Sequence, residues 1–151
     1  SRFMTQTRGT GVMNRTFHSY GPFKSGITGR VNGALISMET GPAVAFAIFN
    51  LQERGRLFID PGTEVYEGMV IGLHTRNNDL VVNPIKGKQL TNFRAAGSDE
   101  NILLTPPIET TLEFALEFID DDELIEVTPS SVRVRKKMLR GHERKKAARA
   151  L

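Results

Sequence analysis

Few side chains in this sequence combine a reactive type with a useful spacing. The three histidines, His18, His74 and His142, are scattered and share no interval suited to a common ligand or catalytic pair. His74 closes an apolar run, where an imidazole serves more often as a structural hydrogen-bond donor than as a catalyst. Asp120-Asp121-Asp122-Glu123 is acidic enough to attract a cation, yet it lacks the alternating spacing and the glycine of a calcium loop. It reads as a helix end or a solvated face. No GxxxxGK[ST], no GxGxxG between a strand and a helix, and no GxSxG occurs, and the Gly-x-Gly at Gly9-Thr10-Gly11 precedes a strand-like stretch. Cysteine is absent, which removes disulfides, thiol catalysis and cysteine-type zinc sites. No enzymatic site is expected.

Binding chemistry is better represented. Residues 76–98 present Arg76, Lys86, Lys88 and Arg94, and Asp79 is the one carboxylate among them. Asn77, Asn78, Asn83, Gln89, Thr91 and Asn92 add amides and a hydroxyl able to bond phosphate or ribose oxygens, and Phe93 offers a ring for stacking. A cationic, amide-rich stretch of this length is the composition of an RNA-probing loop; an ordinary surface loop over a packed Phe93 is the plainer alternative. The end of the chain carries a second charge signal. Residues 109–126 hold eight carboxylates and no Lys or Arg, whereas residues 133–149 hold nine Lys or Arg against the single Glu143. The net charge of +3 therefore hides an acidic body with a cationic handle. Arg133, Arg135, Lys136, Lys137 and Arg140 join the loop residues as candidate contacts to a polyanion, which a clustered cationic segment binds by displacing counterions. A solvated tail is the competing reading.

The elements that must position these residues can be outlined. Val12 to Tyr20 alternates as a half-buried strand, after one or two helical turns over 3–8. Ala34 to Met38 is a short strand ended by Gly41-Pro42, and Ala43 to Arg54 a helix stopped by Gly55. Arg56 to Ile59 is a strand followed by an Asp60-Pro61-Gly62 turn, and Met69 to Leu73 a strand apolar on both sides. Ile102 to Leu104 continues as a strand. A helix capped by Thr110-Thr111 runs to Ile119 with Leu112, Ala115, Leu116 and Ile119 inward. Ser131 to Arg135 is a last strand with Val132 and Val134 inward, and the rest a basic tail able to form a helix. This predicts a β-rich α+β fold with two main helices and a long basic loop. At 151 residues the chain has room for one domain, or one domain and a fragment. No apolar run reaches the roughly 18 to 20 residues of a membrane span. The opening Ser1-Arg2-Phe3-Met4 lacks an initiating Met and predicts a piece of a longer protein.

Several runs resemble the C-terminal region of the BipA/TypA translational GTPases. They are Asn32 to Ser37, Ala43 to Phe58, Glu64 to Gly72, Lys88-Gln89-Leu90-Thr91-Asn92-Phe93-Arg94-Ala95, and Ala115 to Pro129 with its Glu-Phe-Ile-Asp-Asp-Asp-Glu-Leu block. Phe3 to Tyr20 is similar to the last helix and strand of an elongation-factor-G-like domain V. The resemblance implies a remnant of that domain at 1–21 and the family's C-terminal domain at 22–151, with a basic tail at 133–151. It implies a ribosome-associated protein related to elongation factor G and LepA, linked to stress responses and large-subunit assembly. GTP and magnesium would belong to a G domain outside this chain, so the chain itself needs no cofactor. The expected partners are ribosomal RNA and the acceptor region of A-site tRNA, met by the 76–98 loop, with ribosomal proteins as further contacts. The expected setting is cytoplasmic. On this resemblance Lys86, Lys88, Thr91, Asn92 and Arg94 fall in the matching block; Gly41-Pro42 and Pro84 depart from it and bear on the loop's path.

Two classes of function follow. One is a non-catalytic RNA-binding module, the other a protein-interaction module docking a ribosomal protein or the parent's GTPase domain. Steep salt dependence marks the first.

Overall fold

Met69–His74 is the strand around which the chain organises, because its apolar run offers side chains to both faces at once. A computed structural model describes residues 3, 7–22, 30–87 and 103–149. Eight strands occur among them: β1 (Ala34–Ser37), β2 (Gly41–Pro42), β3 (Gly55–Leu57), β4 (Glu64–Val65), β5 (Met69–His74), β6 (Leu80–Val82), β7 (Glu123–Val127) and β8 (Val132–Lys136). Three helices accompany them: α1 (Ala45–Leu51), α2 (Leu112–Phe118) and α3 (Gly141–Ala148). The main sheet runs β6-β1-β5-β8-β7, with β3 also paired to β5, and β2 and β4 form a separate two-stranded ribbon. Only the β1–β6 pair is parallel among these pairings. The β-rich α+β class is as expected.

Each face of the sheet holds its own core. Leu35, Ile48, Leu57, Met69 and Ile71 pack together on the α1 side. Ala34, Ile36, Val70, Val134, Ala115 and Phe118 pack on the α2 side. Pairing between β1 and β5 shifts between Leu35 and Ile36, a bulge that lets Val70 and Leu73 reach the same face despite their odd spacing. α2 is capped by Thr111, whose hydroxyl accepts the Phe114 N–H at 3.2 Å. No described helix is long and apolar enough to cross a membrane.

Several expected elements change. Val12 to Tyr20 is not a half-buried strand: these residues carry no regular structure and are exposed, with Tyr20 at 95%. Alternation yields a strand only when a neighbour supplies ladder hydrogen bonds, and none of the described strands pairs with it. Leu103 and Leu104 belong to no strand, while Leu80–Val82 is one. α1 is shorter than the expected 43–54 helix, and Gly41-Pro42 pairs with β4 where a strand end was expected. In α2 the inward face is Phe114, Ala115 and Phe118, and Leu116 is 61% exposed. Phe58 explains the swap, since its ring stands edge-on to Phe114 and Phe118 at centroid distances of 5.3 and 5.2 Å.

β8 sits between β5 and β7, so cutting the chain after Ser131 removes an interior strand. That product is expected to be unfolded, whereas a chain cut after Lys137 is expected to keep a cooperative melt. Circular dichroism melting of both products checks this. An unfolded longer product would show that the last helix is part of the core.

Candidate nucleic-acid interface

The turn between β5 and β6 positions the first candidates. Arg76 accepts the Gly33 N–H on its carbonyl at 2.7 Å, and a Cβ on Gly33 would lie 2.1 Å from the Asn78 carbonyl oxygen. The turn therefore lies flat on the start of β1. His74, buried at its base, donates from Nδ1 to that same carbonyl at 2.5 Å, so its imidazole is a structural donor. Asn78 spends its side-chain amide on the Asp79 carbonyl, while Arg76 and Asn77 project to solvent.

β6 then leads away from the sheet. Val44 donates its N–H to Pro84, and Asn83 accepts the Ile85 N–H at 3.0 Å, which seats the outgoing chain on the start of α1. Lys86 is exposed there. The chain returns at the other end of the same helix. Gln52 donates to the Leu103 carbonyl at 3.2 Å and accepts the Thr105 N–H, and Ile108 donates to Leu57 on β3. α1 is thus a strut about 10 Å long with one stem of the loop at each end. Lys88, Gln89, Thr91, Asn92, Phe93 and Arg94 lie outside the described residues.

The cationic tail is divided by the fold. β7 and β8 pair with Glu126 opposite Arg133 and Glu123 opposite Lys136, so the acidic and basic blocks face each other across one hairpin. Arg135 donates from Nε to Glu126 at 2.6 Å, and Arg133 lies 3.9 Å from the other oxygen of that carboxylate. The Tyr66 hydroxyl donates to Glu126 at 2.5 Å. Burial first, then the hydrogen bond to that carboxylate, raises the phenol well above the ordinary tyrosine range.

Lys136 departs furthest from the expectation of a phosphate contact. It is 2% exposed, and its ammonium reaches Asp79 at 2.5 Å, Asp122 at 2.8 Å and Glu123 at 2.9 Å. Arg30 completes the group, with both its terminal nitrogens on Glu123 at 2.8 and 2.9 Å and its guanidinium 4.2 Å from the centre of the Phe118 ring. Burial alone would lower the Lys136 pKa, but the Asp122, Asp79 and Glu123 hydrogen bonds outweigh it and raise it. Burial would raise the Asp79 pKa; the Lys136 and Ala34 hydrogen bonds outweigh that and lower it. Glu123, expected at a helix end or on a solvated face, is instead the buried first residue of β7. The exposed cations of the tail begin at Lys137, which donates to the Asp121 carbonyl, and Arg140, which precedes α3.

Sequence reasoning missed Arg30 and Glu67, each bonded to residues far along the chain. The hairpin had a legible signal, since acidic and basic residues recur at mirrored positions about Pro129. Arg30 had none, because nothing local marks an arginine whose partner lies more than 90 residues on.

Comparison with known proteins gives a consistent result. A family model described as the TypA/BipA C-terminal domain matches residues 32–141. The Large ribosomal subunit assembly factor BipA of Escherichia coli K12 is 58% identical over 99% of this chain, which covers 25% of that protein. Proteins of the same name from Salmonella typhimurium and Haemophilus influenzae are 57% and 56% identical over 99% and 97% of the chain, covering 25% and 24% of their lengths. The chain spans about a quarter of the length of the relatives it matches.

Proposed function

Because the chain belongs to the TypA/BipA family and carries its C-terminal domain, we propose that it is a non-catalytic, RNA-contacting module for ribosome binding. Its relatives are named as large ribosomal subunit assembly factors, which supports the ribosome as partner. The reading rests on the 76–98 segment. Arg76, in the β5–β6 turn, and Lys86, at the start of a loop whose two stems are seated at opposite ends of α1, are exposed and make no ion pair among the described residues. In this reading Arg76, Lys86, Lys88 and Arg94 meet phosphates. Asn78, Gln89, Thr91 and Asn92 fix position on ribose or base edges, and the tRNA acceptor region in the A site is the target. GTP and magnesium are assigned to the parent's G domain, and the setting to the cytoplasm.

One observation favours a second reading. Leu112 and Leu116 are exposed on α2 between Glu109, Glu113 and Glu117, a surface suited to a basic protein such as a ribosomal protein or the parent's GTPase domain.

Co-sedimentation with 70S ribosomes and 50S subunits over a salt series tests both. Wild-type binding is expected to weaken by orders of magnitude between 50 and 200 mM salt. Replacing Lys86, Lys88 and Arg94 together with Ala is expected to weaken it roughly 10- to 100-fold at fixed salt, since three counterion-releasing contacts are lost. The melting temperature should stay within about 2 °C, as surface changes cost little. Binding retained by the variant sinks the loop assignment, and salt-independent binding favours the protein interface.

A further inference from the structure

The last helix carries a second cationic surface whose direction the fold presets. In α3, residues 141, 144 and 147 are half-buried, while His142, Lys145, Lys146 and Arg149 are exposed. Their i, i+3, i+4, i+7 spacing places these four on one helix face roughly 10 Å long. Glu143, the acid of this helix, falls to one side of that face. Among the described residues none of the four is in an ion pair, and none of their side chains takes part in a hydrogen bond.

Three contacts hold α3 in place. Glu67, just before β5, accepts the Gly141 N–H at 2.8 Å and so caps the helix from a distant part of the chain. Arg144 donates to the carbonyls of Met138 and Leu139. Gly68 sits at φ +87°, and a Cβ there would lie 2.7 Å from the Leu139 Cα, so the connection into α3 is pressed against the turn that opens β5. The exposed face thus has a preset orientation, which lowers the ordering cost of binding.

We propose that the His142–Lys145–Lys146–Arg149 face of α3 is a second RNA phosphate-backbone site, preoriented by Glu67, in addition to the 76–98 loop. The proposal rests on the RNA-binding reading above. The face presents three cations and an imidazole but no large apolar side chain. Phosphate oxygens suit such a surface; the core of a protein interface does not.

The test measures binding of the 151-residue chain to protein-free ribosomal RNA and to 70S ribosomes from 50 to 200 mM KCl. Substituting Lys145→Gln, Lys146→Gln and Arg149→Gln together should weaken binding to both at least tenfold. It should also flatten the plot of log K against log salt by about two to three units, with the melting temperature unchanged. Glu67→Ala should weaken binding while keeping the wild-type slope, because every cation remains and only the orientation is loosened. If the triple variant binds like wild type while the Lys86/Lys88/Arg94 variant does not, this site is overturned and the RNA-binding reading stands. If the triple variant loses ribosomes but keeps naked RNA, the face meets a protein and the proposal is overturned. If the wild-type chain binds neither, both readings fall together.

Discussion

Lys136→Met is expected to destabilise the domain by about 3 kcal/mol, the lower end of the cost of breaking a buried ion pair by removing one partner. The methionine keeps the apolar stem and deletes the ammonium. Asp79, Asp122 and Glu123 are then left around Arg30, with Glu123 wholly buried. The low end applies because water reaches the side chains of Asp79 and Asp122, at 35% and 64% exposure. For a chain of this size that corresponds to a drop of roughly 10 °C in melting temperature. Replacing Arg30, Glu123 and Lys136 all by Met should recover much of the loss, since a packed apolar substitute no longer carries the desolvation cost. A melting temperature for Lys136→Met within 2 °C of wild type would refute the buried network.

The same network sets a pH dependence. Asp79 has its folded pKa lowered, so its contribution is present above the unfolded aspartate value near 3.9 and is lost as pH falls through the folded one. Lys136 has its folded pKa raised, so its contribution is complete below the unfolded lysine value near 10.4 and is lost as pH rises through the folded one. Denaturant melts across pH should show a broad plateau between these limits in the wild type. Lys136→Met should lose the lysine part of the alkaline fall and keep the part set by Tyr66, whose folded pKa is also raised.

Gly55→Ala is the second large effect. A Cβ at Gly55 would lie 1.9 Å from the Leu73 carbonyl oxygen, backbone that cannot yield as a side-chain tip would. β3 must then move off β5, breaking the ladder that pairs Gly55, Arg56 and Leu57 with His74, Leu73 and Gly72 and unseating buried Leu57. The expected cost is about 3 to 4 kcal/mol, as for severe overpacking. Gly87→Ala is the control: among the described residues nothing lies within 4 Å of its Cβ, and its stability should stay within about 1 kcal/mol of wild type. Equal denaturation midpoints for the two variants would show that β3 and β5 are not in close contact.

Sequence reasoning caught elements whose signal is local. Thr111 with Phe114 marks a helix start, Asp60-Pro61-Gly62 forms its turn with Gly62 at φ +86°, and the apolar run of β5 needs no partner to be recognised. Elements defined by distant partners were hidden. Leu80–Val82 became a strand because Ala34–Ser37 was there to pair with it, while the better-patterned Val12 to Tyr20 finds no such edge among the described strands. Two turns of α2 are too short for periodicity to choose between Leu112/Leu116 and Phe114/Phe118, and Phe58 decides it from outside. For the candidate interface, cation type was legible and availability was not: Lys136 and Lys137 are neighbours, one buried among carboxylates and one at the surface.

The position of β8 also bears on how the chain folds. The strand that closes the sheet between β5 and β7 comes after every other described strand in order of synthesis. Until it arrives, Met69 and Val70 present an open edge. Closing it requires a long loop of intervening chain, so folding is expected to be slow and limited by this last pairing. A nascent or truncated chain that stalls before residue 132 exposes that edge, and chaperone capture should then compete with aggregation through it.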